Sequence, residues 1–207
     1  MSAKTDVKKL DAYQARAGQF REIELAPARY LMIDGAGDPN TEAFARAVES
    51  LYPLAFALKF LSKLELGRDY VVPPLEGLWW ADDLEAFTRR RDKSRWLWTL
   101  MILVPEWLTS AHVEDAVART RDKGAAPRLD DVRLEPLDEG LSVQTLHVGS
   151  FDDEGPVLAR LHEEFLPAHG LRPTGKHHEI YLSDFRRVAP EKWRTILRQP
   201  VVRAGDG

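Results

Sequence analysis

Cysteine is missing from the 207 residues, which excludes disulfides, thiolate nucleophiles and cysteine-held zinc or iron–sulfur centres. Long apolar runs are missing as well. The longest apolar-rich stretch, Trp96 to Val104, spans nine residues, and a membrane helix needs about 20. The opening residues carry Lys4, Asp6, Lys8, Lys9 and Asp11 without an apolar segment, so they do not read as a signal peptide. The cytoplasm is the compartment these exclusions leave. A basic excess is also lacking: the net charge is -4, and the run Arg89, Arg90, Arg91 is flanked by Asp82, Asp83, Glu85 and Asp92. Such a run is a solvated surface, and no direct binding of nucleic acid is expected.

Several catalytic signatures fail to complete. His162-Glu163-Glu164 continues into Phe165 and Leu166 instead of a second histidine, and the paired His177 and His178 point apart if they lie on a strand. No metal site is expected. Gly149-Ser150 runs into Phe151, so there is no nucleophile elbow. Gly35-Ala36-Gly37 has neither the third glycine of a dinucleotide loop nor the Lys-Ser/Thr of a phosphate loop, and reads as a turn. No cofactor is expected.

What is present is an ordinary globular balance, 44% hydrophobic and 30% charged, suited to a single domain over residues 1–207. The stretch 28–34 is short, apolar and β-prone. After a turn at 37–41, with Asn40 or Thr41 as cap, Phe44, Val48, Leu51, Leu54, Ala55 and Leu58 recur at helical spacing. Pro53 falls inside that pattern and predicts a kink or break. Two β-like runs follow, 70–81 and 95–104, joined by the charged connector 82–93. After a linking helix at about 110–124, the order returns: a strand over 141–148, a helix over 156–168, and closing segments at 176–182 and 193–200. The expectation is an α+β fold of duplicated strand–helix–strand–strand modules, at about 22–108 and 130–202. Two sheets side by side would leave a ligand cleft between the halves. The last residues, Arg203 to Gly207, read as a disordered tail.

Tryptophan is the first informative residue type, with six in the chain. Alternation puts Trp79 and Trp80 on opposite faces of their strand, and Trp96 with Trp98 on one face of the next, opposite Leu97, Thr99 and Met101. Either these rings fill a core and its edges, or one face lines a cavity that a ligand covers. Glu179, in His177-His178-Glu179-Ile180-Tyr181-Leu182, is the second. Ile180 and Leu182 suit the helix-packed core, which sends Glu179 and Tyr181 to the other face. There a carboxylate is either exposed and paired with Lys176 or an arginine, or desolvated beside an aromatic wall. Glu76 and Glu106, close to Trp79 and Trp107, are further candidates of the same kind.

Two longer motifs carry a resemblance. Tyr30-Leu31-Met32-Ile33-Asp34-Gly35 leads into Gly37-Asp38-Pro39-Asn40. Lys176-His177-His178-Glu179-Ile180-Tyr181-Leu182-Ser183-Asp184 leads into Thr195-Ile196-Leu197-Arg198-Gln199-Pro200. They resemble the GyrI-like small-molecule-binding family, its stand-alone bacterial branch, from about Lys4 to Val201. The resemblance implies modules related by a pseudo-twofold axis with an aromatic or cationic small molecule between them. It implies that Glu179 meets that ligand. In the branch that hydrolyses cyclopropanoid natural products, it implies that Glu179 orients or deprotonates a water. Tyr181 or a neighbouring donor would then stabilise the dienone oxygen. The stacking residues implied are Trp80 and Trp98 first, then Trp79 and Trp107. Tyr70, Glu106, His177 and Met101 complete the implied lining. A monomer or homodimer is expected. The leader before Ala28 is too short and polar for a helix-turn-helix, so direct transcriptional control is not. The alternative is a non-catalytic ligand sequesterer or an adaptor for a protein such as a gyrase.

Overall fold

The period-two and helical-period runs become strands and helices in a computed structural model, which describes residues 4–81, 92–124 and 126–205. The charged run containing Arg89, Arg90 and Arg91 lies outside the described residues.

The first run of elements is β2 (Ala28–Ala36), α1 (Glu42–Glu65), β3 (Glu76–Trp80) and β4 (Leu97–Val104). It is preceded by β1 (Arg21–Leu25) and followed by helix α2 (Ser110–Asp122) and strand β5 (Arg133–Leu137). The second run opens with β6 (Gly140–Val148). A helical segment follows, made of α3 (Gly155–Ala159), a π-helical stretch Arg160–Phe165, and α4 (Leu166–Ala168). Strands β7 (Leu171–Pro173), β8 (His177–Tyr181) and β9 (Arg194–Arg203) complete it. The sequence pattern does not reveal β1, β5 and β7, which are short or half-exposed.

The two runs do not make separate sheets. Antiparallel pairing of β3 with β8 fuses them into one nine-stranded sheet of order β1-β6-β9-β8-β3-β4-β2-β5, with β7 on β9. Leu25 stands opposite Gly140 and Ala28 opposite Leu137. The register therefore continues through the bends at 26–27 and 138–139, and β1–β2 and β5–β6 form one long bent ladder joining the sheet's two ends.

Helix α1 buries Ala47, Leu51, Leu54, Leu58 and Leu61 against Leu31 and Ile33 of β2 and Leu100 and Ile102 of β4. Pro53 does not break the helix: α1 is continuous over 24 residues. An interior proline costs about 3 kcal/mol, whereas each fully buried leucine contributes about 1.5–3 kcal/mol. The flanking stripe outweighs the lost hydrogen bond.

The opposite face of the sheet is buried as well. Ile180 is covered there by Val7 and Tyr13, so the stretch read as a polar leader packs on the domain. The expectation that Ile180 marks the helix-packed face is thereby corrected. Tyr181 belongs to the α1 cluster, and Glu179 shares its face. The expected tail is corrected at its start, since β9 runs to Arg203, and residues 206–207 lie outside the described residues.

Candidate functional site

Strand β8 sends His177, Glu179 and Tyr181 toward the helices. Directly across the ladder, Gly77 opposes Glu179, and its missing side chain is what the site is built around. A Cβ at position 77 would lie 2.8 Å from Trp79 Nε1 and 2.9 Å from the Tyr181 hydroxyl. In that space Trp79 Nε1 donates to the Tyr181 oxygen at 2.9 Å, and the Tyr181 hydroxyl donates to Glu179 Oε2 at 2.9 Å. Burial, followed by the charge of Glu179, pushes the Tyr181 phenol well above its usual range, so it keeps the proton it donates.

On its other oxygen Glu179 faces His177 Nε2 at 3.6 Å. Burial, with the charges of His162 and His178, holds that imidazole down at about 3. His177 is therefore neutral at physiological pH, and the contact is not an ion pair.

Glu179, Tyr181 and Trp79 open into a cavity of about 350 Å³. Phe44 comes from the first turns of α1, Trp96 from the residue before β4, Phe151 and Glu154 from the turn before α3, and Phe185 and Trp193 from the loop between β8 and β9. The rings interlock edge to face or tilted: Phe151 to Trp193 at 4.6 Å, Phe151 to Tyr181 at 5.5 Å, Trp79 to Trp96 at 5.8 Å. Among the described lining residues stand three carboxylates, Glu179, Glu154 and Asp152, and the cationic Lys93, which lies 3.2 Å from Asp152. The flat aromatic walls suit a planar ligand.

Other residues implied for the lining stand elsewhere. Trp80, on the opposite face from Trp79, carries Lys176 Nζ 3.3 Å above its ring, and Met101 is buried on that same face. Trp98 is fully buried, its ring so close beneath Gly35 that a Cβ there would lie 2.0 Å away. It backs the cavity through Phe44, at 5.2 Å, and stands opposite Trp79 on the β3–β4 ladder. Gly35 is accordingly a seat for Trp98 within β2 and not part of a turn. Trp107, Tyr70 and Glu106 line a separate depression. Trp107 Nε1 is bonded to Ser62 at 3.0 Å. Strand alternation separates Trp79 from Trp80 and Met101, the ring of Trp98 is taken up beneath Gly35, and distance along the sheet separates Trp107, Tyr70 and Glu106.

Glu76 is not a cavity residue. It is fully buried on the far face, where it accepts from the Tyr13 hydroxyl at 2.6 Å and from His178 Nε2 at 2.9 Å. His178 Nδ1 meets Glu139 at 2.9 Å, and Arg198 meets the same carboxylate at 2.9 Å. Among the described residues no group of three or more metal-ligating side chains is placed to hold a metal ion, and no helix is long and apolar enough to cross a membrane.

Sequence reading missed Phe44, Phe151, Glu154, Phe185 and Trp193 as site residues. Four of these five lie in or beside loops, where no periodicity marks which way a side chain points.

Residues 18–202 match the family model of the GyrI-like small molecule binding domain. The crystal structure of a conserved protein of Listeria innocua is 39% identical, covering 96% of this chain and 100% of its own, with a TM-score of 0.87. A hydrolase from Listeria innocua is also 39% identical over 96% of this chain and 100% of its own, with a TM-score of 0.82. The EcmrR C-terminal domain, 9% identical over 89% of this chain and 98% of its own, shares the fold alone at a TM-score of 0.55. A search of curated proteins returned no match.

Proposed function

The chain belongs to the GyrI-like small molecule binding domain family, and from that premise we propose that the Glu179 cavity binds planar hydrophobic or cationic molecules and hydrolyses strained electrophiles such as cyclopropanoid natural products. One observation carries the reading: a carboxylate held by a protonated tyrosine at the base of an aromatic box, Tyr181 to Glu179 at 2.9 Å. The 39% identity to a hydrolase supports the catalytic half.

In the proposed reaction the ligand's flat ring system stacks between Trp193, Phe151 and Trp96. Water bound at Glu179 attacks the ring carbon of the cyclopropane. The new C–O bond forms as the C–C bond breaks, and the released electron pair moves into the dienone, leaving a phenolate. Glu179 takes the water's proton, which returns to the phenolate oxygen, so the net change is addition of one water. Tyr181 spends its proton on Glu179 and accepts from Trp79, so it acts as a positioning residue. The oxyanion falls to Lys93, the cation in the described wall.

Sequestration without turnover is the second reading, favoured by the same Tyr181 hydrogen bond, which occupies one carboxylate oxygen. Ultraviolet absorbance of a cyclopropane-fused dienone separates the two. Turnover by the wild type, falling about a hundredfold or more in Glu179→Gln while dye binding persists, supports hydrolysis. Binding with no turnover leaves sequestration. A failure to quench tryptophan fluorescence with any flat dye would overturn both.

A further inference from the structure

A second depression, of about 610 Å³, lies on the other side of Tyr181 and Phe185. It is formed by four separate pieces of chain: the N-terminal segment, the middle of α1, residues 70–75 and the loop after β8. Its floor is apolar and aromatic, with Tyr52, Phe56, Pro73 and Pro74. Phe56 is 47% exposed, an uncommon degree for a phenylalanine on a core helix.

Cations predominate among its described lining residues. Lys4, Lys8, Lys59, Arg186 and Arg187 line it, against one carboxylate, Asp184, among the described lining residues. Asp184 already serves two guanidinium groups, Arg186 at 3.0 Å and Arg187 at 3.6 Å. Lys59 lies 3.1 Å from Asp69, which also serves Lys63 at 3.7 Å. Cations therefore outnumber the anions that face them, in a chain whose net charge is -4. The Arg186 guanidinium stands 5.7 Å from the Tyr52 ring, so charge and aromatic surface are presented together.

We propose that this depression is a second binding site, for an aromatic organic anion such as an aryl sulfonate, carboxylate or phosphate. The ring lies on Tyr52 and Phe56, and the anionic head is met by Lys8 from one side and Arg186 from the other. The volume suits a drug-sized molecule. Arg186 pairs with Asp184 through Nε at 3.0 Å and Nη2 at 3.2 Å, and the charge it keeps beside the lining ammonium groups is suited to an oxyanion. Tyr181 and Phe185 are common to both linings, so one wall separates this depression from the Glu179 cavity. This inference does not depend on what the Glu179 cavity turns over.

Titration calorimetry of the full chain with 2-naphthalenesulfonate tests it. The expected result is saturable binding that weakens about fivefold or more in Arg186→Gln and in Lys8→Gln, the loss of one charge-assisted contact each. Glu179→Gln should leave it within about twofold, and neutral 2-naphthalenemethanol should bind at least about tenfold more weakly than the sulfonate. Lys8 lies on a short surface turn, so its substitution reads charge without threatening the fold. Absence of saturable binding, binding unchanged in both cation variants, or binding lost in Glu179→Gln would each overturn the proposal.

Discussion

Gly77 and Tyr181 approach each other across the β3–β8 ladder so closely that a Cβ at position 77 would stand 2.9 Å from the tyrosine hydroxyl. That hydroxyl is fixed by Trp79 on one side and Glu179 on the other. The displaced atoms are rings in a packed core, which cannot give way as a flexible surface side chain would. Gly77→Ala should destabilise the domain by about 1–3 kcal/mol and weaken binding in the Glu179 cavity. Urea unfolding with a parallel ligand titration checks both, and an unperturbed variant would show that the wall is softer than its geometry.

Tyr181→Phe keeps the ring and removes the hydroxyl. The buried Trp79 indole N–H then loses its acceptor, at a cost of about 1–3 kcal/mol. Glu179 loses the donor that orients it. Turnover should fall while affinity for a flat ligand changes less than about threefold, since stacking is untouched. Equal losses of both would assign Tyr181 to binding instead.

The far-face cluster predicts how stability varies with pH. Both nitrogens of His178 face carboxylates, Glu76 and Glu139, so both carry protons. Burial alone would push this imidazole down. The two carboxylates outweigh it and raise it above 6.5, even with the Arg198 guanidinium opposing them. Burial pushes Glu139 up, and His178 with Arg198 overcome it, bringing it from 4.5 down to about 2. The two buried phenols at this face, Tyr13 and Tyr30, are pushed upward and stay neutral. The raised imidazole contributes fully below 6.5 and loses its contribution as pH climbs through its folded value. The lowered carboxylate contributes above 4.5 and loses it as pH falls toward 2. The cluster's contribution is thus fullest between 4.5 and 6.5. Glu139→Gln should cost about 3–5 kcal/mol, because His178 and Arg198 are left buried with less compensation. It should also flatten the acid limb of a pH series of denaturant melts. A variant whose acid limb matched the wild type would remove Glu139 from the account.

Two tryptophans on one chain offer an internal comparison. Trp193→Ala should weaken binding of a flat cation about fivefold or more, from a lost ring contact of about 1 kcal/mol. Trp80→Ala, on the opposite face under Lys176, should leave it within about twofold. Fluorescence quenching by the same dye measures both, and the reverse order would relocate the ligand.

Much of the fold was legible because its strands and long helix carry clean periods. The runs at 28–34, 95–104, 141–148 and 176–182 all fall on strands, and the spacing of Leu51, Leu54 and Leu58 gave α1 its buried face. The alternation in β8 correctly grouped His177, Glu179 and Tyr181 on one face but could not say which layer that face meets. Both faces of this sheet are covered, one by helices and one by the N-terminal segment with Tyr13. An apolar Ile180 is therefore no guide to where the helices lie.

The sequence by itself determined the α+β class, the family, and the strand that carries Glu179, because side-chain periods and contiguous motifs are local properties of the chain. Only the tertiary structure decided that Trp79 joins Glu179 while Trp80 and Trp98 do not. The same holds for Phe44, Phe151 and Trp193, which complete the box from three distant segments, and for Glu76, which serves a buried charge cluster. Those outcomes depend on strand register, on which face each layer covers, and on loops folding back over the sheet. These are relations between residues far apart in the chain, and no local pattern encodes them.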